Sequence, residues 1–472
     1  MYTTAIRRMA LLLIALLCSA ISFSQDISGS WAGTLKIQHI ALDLIFNIKK
    51  TDTGYLASMD SPEQGAKGIP VSKVSFTDGT LKLSIPQILM EYTGTLNATG
   101  DKISGTFTQR GQSIPLELER DKATVKARPQ TPPTPYPYYT EEVSFENKKA
   151  GIKLAGTLSM PAQKGNYPAV ILISGSGPQD RDETILGHKP FLVLADYLTR
   201  KGYAVLRYDD RGTAASGGDF ATATSLDFAG DAQAAVQYLK GRKEINKKQV
   251  GLIGHSEGGI IAPMLAAQSR DVAFIVLLAG PAVQGSELLL LQQKAIATAE
   301  GLPEAQADEA NRINSALYDI VVQSKTEAEA DATLSTYLKE ALQLKPTSDS
   351  AERIAQDATI RNYVSELNNP WIRFFLKHNP AKDIARVQCP VLALYGEKDV
   401  QVPAKANAEA LKDALQQGNN TQVSVVILPG LNHLFQEATT GAPSEYATIE
   451  QTFSPKAMEG IGKWLNYQTR KK

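Results

Sequence analysis

The chain has 472 residues, 43% of them hydrophobic, enough for two or three domains with a sizeable core. Its 49 basic and 49 acidic side chains balance, which excludes the basic surface that nucleic-acid binders carry. Two cysteines, one within the first twenty residues, exclude a disulfide framework and a cysteine metal cluster.

The first predicted element is a leader. Arg7 and Arg8 stand before the apolar run LLLIALLC, and Ser22-Phe23-Ser24 offers small residues at the usual cleavage offsets. The pattern predicts a signal peptide over residues 1–24, cut near Ser24–Gln25. Leu11 to Ala20 is too short to span a bilayer comfortably. Leu17 is too large for the position before a lipoprotein cysteine at Cys18. The expected mature chain is exported, periplasmic or secreted, without stable membrane insertion, and keeps Cys389 as its single cysteine.

Residues 26–125 predict a small all-β domain. LDLIFNIKK, TLKLSI and KISGTFTQ alternate in polarity, the period of half-buried strands. Gly-Thr-Leu recurs at Gly33, Gly79 and Gly94, and Thr77-Asp78-Gly79 and Thr99-Gly100-Asp101 supply turns. A meander, sandwich or barrel fits. His39 reads as a surface or packing residue. The stretch Gly29–Leu35, GSWAGTL, resembles the opening of small lipocalin-like β-domains, and no ligand follows from it. Residues 126–140 follow, with five prolines between Pro129 and Pro137. They predict a semi-rigid, extended linker.

From residue 141 to 472 the pattern changes. PAVILISG, GYAVLRYD, QVGLIGH, AFIVLLAG, PVLALYG and VSVVILPG are short apolar runs bounded by Gly, Pro or Asp. Such runs suit strands buried on both faces. Helix-period segments such as HKPFLVLADYLTRKG and FAGDAQAAVQYLKGR lie between them. This alternation predicts a doubly wound, mostly parallel α/β sheet. About 283–378 holds no strand signal and reads as a helical cap inserted at the carboxyl side of the sheet, where such folds bind ligands.

The chemistry centres on Gly254-His255-Ser256-Glu257-Gly258. A strand precedes this motif and a helix follows it, the context in which flanking glycines let a serine project from a strained turn. Such a serine needs a base, and the base needs an acid to orient it. The expected order is serine, acid, histidine. Asp399 follows the strand VLALYG and is the preferred acid. Asp383, before that strand, and Glu397, in the same loop, are weaker choices. Of five histidines, His433 follows the last strand and is the predicted base. His255 is expected to point away from the serine, and His378 closes the cap. The amides of Glu257 and Ser176, with Gly177 next, are the candidate oxyanion donors. The Glu257 side chain has no part in this scheme. His188, Trp371, Phe374 and Phe375 are candidate pocket residues, with cap core as the competing reading of the aromatics.

Taken together, SGSGPQDRDE, YDDRG, DFAGDAQAAVQYLK, GHSEGG, GEKDVQVP and LPGLNHLFQ resemble bacterial α/β-hydrolase serine esterases. The likeness is to the esterase D-like carboxylesterases and, more distantly, to dienelactone hydrolases and prolyl-oligopeptidase domains. It covers about Tyr139 to Tyr467. It implies an α/β-hydrolase fold and a cofactor-free, metal-free serine carboxylesterase acting on small-molecule esters of short-to-medium acyl chains. It places nucleophile, acid and base on Ser256, Asp399 and His433. Activity is expected to fall below about pH 6–7, where an ordinary histidine takes a proton. One departure is Ala214, where the resemblance implies glycine. Two other readings stay open: a prolyl-oligopeptidase-like serine peptidase, and a binding protein that retains the fold without catalysis. Nothing in the pattern specifies an oligomer.

Overall fold

The computed structural model describes residues 26–37, 40–51, 54–61, 66–97, 99–109, 112–120, 128–342 and 350–470. The leader, Cys18, His39 and the first residues of the proline-rich stretch lie outside these. The chain divides into two compact units, Met1–Val125 and Lys126–Lys472.

The first unit is one antiparallel sheet. Its strands are β1 (Gly29–Ile37), β2 (Ile40–Thr51), β3 (Gly54–Ser61), β4 (Ala66–Val71), β5 (Lys73–Thr77), β6 (Thr80–Ile85), β7 (Met90–Leu96), β8 (Lys102–Gln109) and β9 (Gln112–Arg120). Their order is β4-β3-β2-β1-β9-β8-β7-β6-β5. The two outermost strands are consecutive in the chain with only Ser72 between them, so the sheet must curl until its margins meet. The alternation read from the sequence supplies the inner face, where Trp31, Phe46 and Tyr92 are fully buried. Gly94 and Gly105 pair across β7 and β8. A Cβ on either would strike the Tyr92 hydroxyl, at 2.5 and 2.7 Å. Arg120 lies over the Trp31 ring at 4.5 Å.

The second unit carries an eight-stranded sheet of order β10-β11-β13-β12-β14-β15-β16-β17. The six predicted apolar runs form β12 (Tyr167–Ile173), β13 (Ala204–Tyr208), β14 (Ile245–His255), β15 (Ile275–Leu278), β16 (Val391–Gly396) and β17 (Val423–Leu428). All six are parallel. The hairpin of β10 (Tyr139–Asn147) and β11 (Ile152–Met160) adds antiparallel strands that the sequence reading did not mark. At the other margin β17 is an edge strand, not one buried on both faces, and exposes Val426 and Ile427.

Helices α1 (Pro190–Arg200), α2 (Ser225–Gly241) and α3 (Gly258–Ala266) alternate with the strands. Between β15 and β16 the chain forms α4 (Gly285–Ala299), α5 (Glu304–Gln323), α6 (Glu327–Ala341), α7 (Ser350–Leu367), α8 (Pro370–Lys377) and the short α9 (Ala381–Ile384). This cap has its own apolar centre, with Leu317, Val321, Leu334 and Leu376 buried together. Its two ends are pinned, since Gly285 N donates to His378 O at 3.0 Å. After β16 follow α10 (Ala404–Gln417) and, beyond β17, α11 (Pro455–Arg470). No helix among the described residues is long and apolar enough to cross a membrane.

Two expectations change in detail. The proline-rich stretch, expected as a semi-rigid extended linker, is hydrogen-bonded to later residues of its own unit where it is described. Arg128 donates to Leu186 O at 2.7 Å, Gln130 donates to Phe453 O at 2.8 Å, and Thr452 N donates to Gln130 Oε1 at 2.6 Å. These bonds hold it to the C-terminal loops and to Leu186 within the second unit. Ala214, where glycine was expected, keeps the left-handed backbone glycine would favour, at φ +47°, at a cost of about 1 kcal/mol.

Candidate active site

Strand β14 ends at His255, helix α3 begins at Gly258, and Ser256 stands between them at φ +52°. The turn is held by Ser256 N donating to Leu278 O at 2.9 Å and Gly259 N donating to Ser256 O at 2.8 Å. The glycines are there for clearance. A Cβ at Gly254 would lie 2.0 Å from Gly258 O, and one at Gly258 would lie 2.2 Å from Ile173 O. Any side chain there would push the strand and helix apart, so the turn that exposes the serine exists only with these residues.

His433 follows β17, and its Nδ1 lies 2.9 Å from Asp399 Oδ2 with both side chains buried. The other carboxylate oxygen of Asp399 accepts from Gln401 N and Val402 N, each at 2.8 Å. Donation from Nδ1 leaves the lone pair on Nε2. The loop that carries His433 is clamped by Asn432, whose Oδ1 accepts from Leu434 N at 3.1 Å and Gln436 N at 2.9 Å.

Ser256 and His433 border one cavity of about 230 Å³. Gly175, Ser176 and Glu257 also border it, and Leu288, Leu289, Trp371 and Phe375 give it apolar walls. The Trp371 and Phe375 rings stack with centroids 4.9 Å apart. Gly175 lets its loop approach the nucleophile: a Cβ there would sit 3.2 Å from Ser256 Cβ. That loop is tied down by Asp210, which accepts from Ser174 Oγ at 2.7 Å and Gln179 N at 3.0 Å. Arg181, four residues beyond Gly177, forms a two-bond pair with buried Asp209, Nε to Oδ1 at 3.0 Å and Nη2 to Oδ2 at 2.8 Å. The motifs SGSGPQDRDE and YDDRG are thus two sides of one brace.

The structure does not bring every candidate to the cavity. His188 is fully buried, with Nδ1 2.9 Å from Thr452 Oγ1 and Nε2 3.1 Å from Tyr446 O. It packs the C-terminal loops and does not border the cavity. Burial lowers its pKa to about 4, so it is neutral near pH 7. Phe374 stacks on His378 at 5.2 Å, on the side of α8 away from the cavity lining. Gly177, at φ +95°, also lies off the lining.

Other residues prove to matter more than the sequence suggested. The Glu257 carboxylate is buried and accepts from Ser225 Oγ at 2.5 Å and Trp371 Nε1 at 2.8 Å. Burial raises its pKa, and hydrogen bonds from Ser225, Trp371 and Ser176 work against that rise. One side chain thereby joins the Ser256 turn, helix α2, the cap and the Ser176 loop. The only signal was an acidic residue inside a turn that must be buried. His255 does not point idly away either, since its ring lies 4.8 Å from that of His433.

The chain is similar to known proteins over much of its length. Residues 189–437, more than half of the chain and including Ser256, Asp399 and His433, match the family described as serine aminopeptidase, S33. Esterase EstD of Thermotoga maritima is 27% identical over 333 residues, 70% of this chain and 69% of that protein. The uncharacterized peptidase YuxL of Bacillus subtilis is 30% identical over 138 residues, 28% of this chain and 20% of that one. The solved Pyrococcus furiosus esterase Pf2001 is 15% identical, with a TM-score of 0.42 over 70% of this chain and 93% of that one. With a family match over most of the hydrolase unit and a serine elbow facing a buried His-Asp pair, the chain belongs to the serine aminopeptidase S33 family and is a serine hydrolase of the α/β-hydrolase fold.

Proposed function

We propose that the chain is a serine carboxylesterase that cleaves small esters of short-to-medium acyl chains through a covalent acyl-enzyme. The observation that carries this reading is the narrow cavity where Ser256 and His433 meet between apolar walls. In the first step His433 Nε2 takes the Ser256 proton as Oγ bonds to the ester carbonyl carbon. The carbonyl oxygen becomes an oxyanion held by the amides of Glu257 and Ser176. His433 then protonates the departing alcohol. Water, deprotonated by His433, attacks the acyl-enzyme, and the acid leaves as Ser256 regains its proton. Asp399 stays ionised throughout, orienting the ring and balancing its charge. The apolar walls of Leu288, Leu289, Trp371 and Phe375, around a cavity of about 230 Å³, suit an acyl chain of a few carbons.

The competing reading is aminopeptidase action, in keeping with the family description and with the peptidase relative. An aminopeptidase must bind a substrate ammonium, which calls for an open carboxylate in the pocket. The two carboxylates bordering this cavity are already engaged, Glu257 by Ser225 and Trp371, and Glu183 by Gly175 N and His255. The likeness to an esterase over 70% of the chain supports the same choice. The expected result is a kcat/KM for p-nitrophenyl butyrate at least about 100-fold above that for alanyl and prolyl p-nitroanilides, falling for long acyl chains. Anilide turnover equal to ester turnover would overturn the reading. Failure of a fluorophosphonate to label the protein would favour the binding-protein reading instead.

Export belongs to the same proposal, supported by the two arginines and the apolar run before Ser24. Protein recovered from the periplasm or medium is expected to begin near Gln25 by mass spectrometry. An intact Met1 in that material would refute cleavage.

A further inference from the structure

His255, the residue before the nucleophile, has both ring nitrogens engaged. Nδ1 lies 2.9 Å from Glu183 Oε1, and Nε2 lies 3.0 Å from the carbonyl oxygen of His433. A carboxylate oxygen and a peptide carbonyl only accept. A neutral imidazole has one N–H, so it would make one of these bonds and turn a lone pair toward the other oxygen. Only the imidazolium makes both. The charged and titratable groups facing the ring are Glu183 from the loop after β12, Asp399 from the loop after β16, and the His433 ring. Asp210 lies behind Glu183. Burial alone would lower the pKa of His255, but the Glu183 carboxylate, the His433 carbonyl and Asp399 outweigh it and raise it.

Glu183 serves a second partner. The same Oε1 accepts Gly175 N at 2.7 Å, one residue before the candidate oxyanion donor Ser176. Its backbone is held in the left-handed region at φ +52°, a strained conformation that the surrounding bonds sustain. One carboxylate oxygen therefore ties the oxyanion loop to His255, and His255 ties that pair to the backbone of the base.

We propose that Glu183 and an imidazolium at His255 are positioning residues that hold the oxyanion loop and the His433 loop in register across the nucleophile turn. Neither touches the ester, and the proposal rests on the reading of Ser256, His433 and Asp399 as the reacting set. Glu183 has an electrostatic part as well. When His433 takes the Ser256 proton it becomes a second cation 4.8 Å from the first, and the neighbouring carboxylate offsets their repulsion.

The test separates shape from charge. Glu183→Gln keeps an oxygen that can accept from both Gly175 and His255 but removes the negative charge. His255 then loses its second proton near the ordinary histidine range, and its Nε2 lone pair faces the His433 carbonyl. Wild-type kcat for p-nitrophenyl butyrate is expected to show no downturn at the pH where the variant's begins, because the Glu183 carboxylate raises the His255 pKa. In the variant kcat should turn down above about pH 7 and lie about ten-fold below wild type by pH 9, with KM within about two-fold. His255→Gln, which keeps one donor at every pH, should lower kcat about 10- to 100-fold without that alkaline limb. A Glu183→Gln profile parallel to wild type would overturn the proposal. If that variant does not fold, ring nitrogen NMR of the Ser256→Ala protein decides: both His255 nitrogens should stay protonated at pH 7, and a bare nitrogen would overturn it. The two readings fail differently. Full activity in Ser256→Ala sinks the reacting set, whereas an inactive Ser256→Ala beside a wild-type-like Glu183→Gln removes only the positioning role.

Discussion

Replacing Ser256 by alanine is expected to lower kcat for p-nitrophenyl butyrate by about a million-fold while leaving the fold intact. The reasoning runs through the turn. Ser256 sits at φ +52°, and alanine has the same Cβ, so the backbone strain is unchanged and stability should move by less than about 0.5 kcal/mol. The glycine clearances at 254 and 258 are untouched, as are the Asp399–His433 pair and the amides of Glu257 and Ser176. What disappears is the hydroxyl proposed to bond to the acyl carbon. The residual rate reflects the oxyanion donors and the cavity acting on water. Turnover within ten-fold of wild type would show that another group carries the reaction. Labelling by a fluorophosphonate should be lost in parallel, which separates chemistry from contamination.

The largest effect on stability is expected from Arg181→Ala. Arg181 is the partner of Asp209, whose side chain is 2% exposed. Removing one member of a buried pair leaves an uncompensated charge, and the cost is about 3 kcal/mol. The pH dependence has a definite sign. In the wild type, burial would raise the Asp209 carboxyl, but hydrogen bonds and charge from Arg181 hold it below the ordinary range. Its contribution is therefore complete above the unfolded value of about 4 and is lost as the pH falls below it. In the variant burial dominates, and the folded state favours the protonated acid. The deficit relative to wild type should then be largest at pH 7 and shrink toward about pH 4. Calorimetry at both pH values checks this through the transition of the hydrolase unit. An equal deficit at both would mean that lost packing, rather than an unpaired carboxylate, is the cause.

The parts of the molecule that the sequence made legible are those whose signal is local. Six parallel strands announced themselves as apolar runs between breakers, and the cap as a long stretch without one. The meeting of Ser256 with the His433–Asp399 pair at one cavity was readable because each of the three follows a strand in a fixed order. The β10–β11 hairpin escaped notice because TEEVSFEN carries charges on both faces, which breaks the polar alternation, and follows a proline-rich stretch. Residues whose role is made by distant partners were also missed. His255 bonds to Glu183, 72 residues away, and to His433, 178 residues away, and no spacing rule couples those positions. His188 looked available for substrate until the C-terminal loop, more than 250 residues later, was seen to enclose it. Glu257 was read only for its amide, the donor expected from the residue after such a serine. Its carboxylate depends on Trp371 arriving from the cap.

The bond between Gly285 N and His378 O gives the cap an uncommon evolutionary latitude. Because the neck of the insertion is closed by the parent fold, a replacement of different length adds only a logarithmic loop cost, about 0.6 kcal/mol per doubling. The cap also keeps its own apolar centre. Lineages can therefore exchange or remodel it wholesale while the sheet and its reacting set stay fixed. New acyl preferences then follow from changing the roof over an unchanged hearth, and the bonds Glu257–Trp371, Gln292–Gln401 and Glu300–Ser444 are stitches that each new roof must remake or replace.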